Sequence, residues 1–199
     1  MNNMSYSAGI VSQLFWFVET RETAKLLKDN SYEAVEKMAF ESNLYQQNQY
    51  SRIRREFNTI IKRLNALPEE LSDELVRTDV NTAKLIVFIS IMATDLMLFE
   101  FVYEVYRDKV RMADTELMDM DFNVFFSNKM KQSEKVAGWS DSGIYKMKQT
   151  YAKYLLEAGL IEKTGNNKKI CKVYIDQEIR DMIIRNNMEK FLFALTGEN

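Results

Sequence analysis

The sequence predicts a mainly α-helical protein, with a helical bundle over residues 1–118 packed on a smaller unit over 119–199 that carries a β-hairpin. Three observations predict it. The 199 residues are 46% hydrophobic but include one Pro and six Gly, which suits helices joined by short connections. Apolar residues recur at helical spacing through most of the chain. Only the stretch after Gly159 breaks this habit, with β-prone runs on either side of a Gly-Asn-Asn tip.

Each element has its own warrant. The segment FVETRETAKLLKD follows an aromatic patch, Phe15, Trp16 and Phe17, and reads as a helix. Ser31 caps the next one, with Glu33 in its first turn and Val35, Met38 and Ala39 as its apolar stripe. Residues 45–67 form a third helix, ended at Pro68. At 100° per residue Ile53, Phe57, Ile60, Ile61, Leu64 and Leu67 share one of its faces, and Arg52, Arg55, Lys62 and Arg63 the opposite one. A short acidic helix follows over 69–77. Residues 82–110 then read as a central core helix, apolar on every side up to Met92 and amphipathic beyond Leu96. Unbroken, it would run about 40 Å. Its uncharged run, from Leu85 to Thr94, is only ten residues, closed by Lys84 and Asp95. A membrane span needs about 20 apolar residues, so Asp95 reads instead as a hydrogen-bonded core carboxylate.

The unit boundary falls near residue 118, with no Gly/Ser linker to let the parts swing. Asp121 can cap a helix over 122–131, and a short turn lies around 134–138. Ser140 caps a helix over 141–158 that Gly159 stops. Its buried face holds Ile144, Met147, Tyr151, Tyr154, Leu155 and Ala158; the other shows Ser142, Lys146, Gln149 and Lys153, with Tyr145 beside them. In the hairpin, Lys168 and Lys169 sit at the tip and Lys172 points away from the alternating face of Cys171, Val173 and Ile175, which makes Cys171 a small buried filler. One helix over 176–195 closes the chain. Helix, turn, capped helix and basic hairpin is the order of a winged helix-turn-helix.

Charge sharpens this. Residues 43–67 carry five bases and one acid, net +4; residues 68–122 carry five bases and thirteen acids, net −8; residues 123–175 carry ten Lys and four acids, net +6. The basic islands predict contact with a polyanion. Lys146, Gln149 and Lys153 would enter a DNA groove, and Tyr145 lies at its edge. Ser140, Ser142, Lys168, Lys169 and Lys172 would hold phosphates, with Arg52, Arg55, Lys62 and Arg63 extending the footprint. The chain contains no His, which removes imidazole catalysis and most zinc sites. No Gly-rich phosphate loop, singled-out carboxylate pair or metal spacing appears, so no enzyme, cofactor or metal is expected. One Cys suits a reducing compartment, and a first charge at Glu19 leaves no basic signal region, so a cytoplasmic protein is expected.

Short motifs then resemble the BrxA family in order and spacing: YSAG at 6–9, RET at 21–23, DTEL at 114–117 with Phe122 after it, and WSDS at 139–142 leading to EAGLIE at 157–162. BrxA-family proteins are small helical members of BREX phage-defence systems. The resemblance implies a cytoplasmic, non-enzymatic DNA-binding component with two modules, the first similar to the RNA-binding antitermination factor NusB and the second winged-helix-like. It implies duplex DNA and other BREX proteins as partners, and no membrane. Methylation and ATPase work belong to other subunits. Two alternatives stay open: an interaction scaffold of the defence complex, and RNA binding through the NusB-like part.

Overall fold

A computed structural model describes residues 5–165 and 167–198. In order, the elements are α1 (Phe17–Asp29), α2 (Tyr32–Glu41), α3 (Tyr50–Leu64), α4 (Glu69–Arg77), α5 (Val80–Met92), α6 (Leu96–Phe101), a π-helical stretch (Val102–Tyr106), α7 (Arg107–Arg111), α8 (Asp119–Gln132), α9 (Glu134–Ala137), α10 (Asp141–Glu157), β1 (Ile161–Thr164), β2 (Asn167–Ile170), α11 (Gln177–Arg185) and α12 (Glu189–Thr196). The protein is mainly helical, with one two-stranded antiparallel sheet.

The core is built on α5, whose Leu85 to Met92 are all buried, between α1, α3 and α4. The predicted helix over 82–110 does not run on as one rod. Thr94 turns its hydroxyl back onto the carbonyls of Ser90 and Ile91, both at 3.1 Å. Asp95 takes an extended backbone and accepts the Leu98 N–H at 2.9 Å, capping α6. The chain therefore bends by 116° between α5 and the helix over Leu96–Arg111. Half-buried, Asp95 is hydrogen-bonded as expected, and burial raises its carboxyl to about 6 against the pull of Lys62 and Arg63. Among the described residues, no single helix is long and apolar enough to cross a membrane.

Three other expectations are corrected. The third helix starts at Tyr50, because residues 43–49 fold into turns with Asn43 and Gln46 at positive φ. The closing helix is two, α11 and α12: Asn187 takes a left-handed backbone at φ 55° and Asn186 donates its amide to the Met182 carbonyl. Cys171 is half-buried rather than buried, lying just past the end of β2 at Ile170, although the alternation runs on, with Val173 half-buried, Ile175 buried and Lys172 and Tyr174 exposed.

The segment before α8 pairs with the hairpin. Leu117 N–H donates to Lys168 O at 2.8 Å, and Ile170 N–H to Thr115 O at 2.9 Å. The DTEL stretch thus covers the free edge of β2 and orients the hairpin on α8. A short 3-10 turn, Gly9–Ser12, seats the N-terminal segment against α10. Tyr6 donates to Glu100 at 2.8 Å, and the buried Lys129 of α8 bridges Glu100 and Glu104 at 2.7 and 2.6 Å.

Candidate nucleic-acid interface

Helix α10 has two different faces. Ile144, Met147, Tyr151, Tyr154 and Leu155 are buried, as the spacing predicts. Tyr145, Lys146, Gln149 and Lys153 are exposed, Tyr145 by 62%. Ser140 is the N-cap: its hydroxyl accepts the Gly143 N–H at 3.2 Å and lies 3.2 Å from the exposed Ser142 hydroxyl. Gly159 takes φ 74° just past the end, and Leu160 N–H returns to Leu155 O, closing the helix before β1. Lys148, partly buried, is spent locally on Asn123 at 2.6 Å.

The hairpin register sorts the lysines. Lys163 stands directly across from Lys168, and Glu162 across from Lys169. Lys168 and Lys169 are therefore strand residues on opposite faces and not a shared tip; Gly165, at φ 63°, follows the end of β1. Lys168 faces α10: with Gln149, Ala152, Lys153, Leu156, Ile161 and Lys163 it lines a groove of about 320 Å³. An adjoining groove of about 360 Å³ adds Tyr145, Phe122 and Asp119. Lys168 binds Asp119 at 2.6 Å. Lys172 is exposed beyond the strand's end and Lys169 is exposed beside Glu162. The structure thus places Gln149 and Lys168 between two adjoining grooves, with Lys153 lining one and Tyr145 the other. It adds Lys163, which stands across from Lys168 in the hairpin register.

The α3 set divides. Arg52, Arg55 and Lys62 are exposed; Lys62 lines a separate cleft with Asn58, Asn65 and Thr94. Arg63 is 0% exposed and is no surface cation. Its guanidinium donates to the carbonyls of Leu14 and Phe15 at 3.0 Å each, to Gln13 Oε1 at 3.2 Å and to the Tyr154 hydroxyl at 3.4 Å, with Trp16 below it. Helical periodicity gave the wrong exposure because the end of α3 is covered by residues 13–16, far away in sequence. Burial lowers the Arg63 pKa and lifts Tyr154 to about 12. Glu56, the one acid of this basic island, is also buried.

Comparisons with known proteins agree with this architecture. The BrxA family model matches residues 4–187. The chain is 35% identical over 194 residues to a BREX protein BrxA from Bacillus cereus, covering 97% of each. It is 24% identical over 181 residues to a BREX protein BrxA from Escherichia coli, covering 90% of this chain and 84% of that protein. A crystal structure of an uncharacterized protein from Magnetospirillum magneticum shares the fold, with TM-score 0.78 and 22% identity over 97% of this chain and 99% of that one. A match across nearly the whole length, with a relative above a third identical, makes the chain a member of the BrxA family.

Proposed function

We propose that this protein is a non-enzymatic, duplex DNA-binding component of a BREX phage-defence system, working in the cytoplasm beside the other proteins of that system. In this reading residues 119–199 form the winged-helix-like unit and residues 1–118 the NusB-like helical bundle. One observation carries it: the exposed face of α10 and the facing side of the hairpin present Gln149, Lys153, Lys163 and Lys168 around a common groove, with Lys146 exposed on the same helix. A helix with its side chains is about 10–12 Å across and fits a major groove about 12 Å wide. Gln149 and Lys146 would reach base edges. Ser140, Ser142, Lys153, Lys163, Lys169 and Lys172 would hold backbone phosphates, and Arg52, Arg55 and Lys62 would lengthen the footprint. The pairing of 115–117 with β2 supports the winged-helix reading, because it lays an extended segment along the hairpin edge ahead of the helix-turn-helix.

Fluorescence anisotropy of a labelled random-sequence duplex across a salt series tests it. With about six phosphates neutralised, the log–log slope is about −5, and each lysine removed takes away about 0.9. Replacing Lys153, Lys163 and Lys169 by Ala together is expected to weaken binding and flatten the slope by about 2.7. A salt-independent wild type, or a triple variant equal to it, removes the reading.

A second reading, an interaction scaffold, is favoured by a different surface. Met112, Met118, Met120 and Val124 are all at least half exposed where α7 approaches α8, beside Asp108, Asp114 and Asp121. Exposed methionines suit an adaptable protein contact. Should no duplex bind at any salt, this surface becomes the leading site, and partners retained after nuclease treatment distinguish it.

A further inference from the structure

We propose that Lys168, Lys163 and Lys153 build a phosphate site between the hairpin and α10, and that the Asp119 carboxylate occupies it until a backbone phosphate of DNA displaces it. The proposal rests on the DNA-binding reading and deepens it by naming a counterion carried by the protein itself.

The lysines are arranged in an unusual way. Lys163 and Lys168 are direct cross-strand partners, a placement that sets two like charges against each other on one small sheet. Lys153 lines the same groove from α10, and its one ion-pair partner, Glu157, is distant at 3.8 Å. The floor beneath them is apolar, made of Ala152, Leu156 and Ile161. An apolar floor offers these ammonium groups no acceptor from below, so the open side is where an anion meets them.

In the free protein Asp119, which lines the adjoining groove, already supplies an anion to Lys168. Its Oδ1 lies 2.6 Å from the Lys168 ammonium. The two partners differ in how firmly they are held. The Lys168 side chain is 20% exposed, with its ammonium 5.8 Å from the Phe122 ring centre, whereas the Asp119 side chain is 86% exposed. Among the described residues, Lys168 makes the one hydrogen bond that Asp119 accepts. Rotation about a single Cα–Cβ bond takes the carboxylate away and leaves the lysine in place. A phosphate oxygen then accepts the same hydrogen bond, and Lys163 and Lys153 can reach its other oxygens. Because one lysine is already neutralised, wild-type DNA binding releases fewer counterions than the number of lysines suggests.

The test is a double-mutant cycle by anisotropy on the duplex, using Asp119→Asn and Lys168→Met, the latter chosen because it keeps an apolar stem beside Phe122. Asp119→Asn is expected to tighten binding by about two- to fivefold, the worth of an exposed ion pair, and to steepen the salt slope by about 0.9. Lys168→Met weakens binding, and adding Asp119→Asn to it brings little further change. If wild type binds and Asp119→Asn binds no tighter, the proposal is overturned and the DNA reading survives. A gain that persists undiminished without Lys168 also overturns it, because the carboxylate would then act only as a general repulsive charge. A wild type that binds no duplex removes both.

Discussion

At the scale of single residues, periodicity misplaced the buried charges. Glu56 was legible only as the lone acid in a basic helix. It is 1% exposed: Gln47 donates to Oε2 at 2.8 Å, and Oε1 finds no partner among the described residues. Burial, with Glu19 nearby, raises its carboxyl from 4.5 to about 7. The folded chain therefore holds a proton that the unfolded chain releases, and stability is full below the unfolded value and falls as pH rises toward the folded one. Taken at face value, that shift costs on the order of 3 kcal/mol above pH 7. Glu56→Gln keeps the shape and removes the charge. Thermal melts at several pH values are expected to show the variant gaining stability over wild type above pH 7 and matching it near pH 4.5. Parallel profiles would show that the carboxyl does not titrate in this range.

Among the elements, caps were legible and breaks were not. Ser31, Ser140 and Gly159 stand at the edges of periodic runs, where a capping side chain or a left-handed glycine is the ordinary signal, and each does that work. Asp95 and Asn187 do similar work inside apolar runs, where periodicity on both sides hides them. The short motifs follow the same logic. RET places Arg21 on the carbonyls of Val76 and Thr78 at the end of α4 and Thr23 on the Tyr45 hydroxyl, while DTEL pairs with β2. In this chain both motifs act as structural joints. WSDS is the exception, being both joint and candidate contact. Ser140→Ala is expected to cost about 1 kcal/mol of stability through the lost cap. Ser140→Asp preserves the cap yet adds a carboxylate at the start of α10, so melts stay close to wild type while duplex affinity falls severalfold. Equal affinity for Ser140→Asp and wild type would place the start of α10 away from the phosphates.

Across the whole molecule, the two units that the sequence predicts on either side of residue 118 are joined by buried polar ties. Arg63 of α3 donates to Tyr154 of α10 while also holding residues 13–15. Lys129 of α8, 3% exposed, is clamped by Glu100 and Glu104, and the Tyr106 hydroxyl donates to the Cys171 carbonyl at 2.8 Å. The absent linker was legible; these ties were not, because each joins residues far apart in the chain. Their consequence concerns cooperativity. Two halves held by buried polar groups cannot part without leaving those groups unpaired, which costs about 1–3 kcal/mol for each. The chain is therefore expected to melt in one transition, with calorimetric and van't Hoff enthalpies equal. Arg63→Met leaves the Leu14 and Phe15 carbonyls and Gln13 without their donor, so the expected loss is at least about 3 kcal/mol. If the halves act as one, the whole transition moves down together and DNA affinity measured below it stays near the wild-type value, since Arg63 never meets solvent. A second transition left at its original temperature would show that residues 119–199 fold on their own and that the ties only dock one finished unit on another.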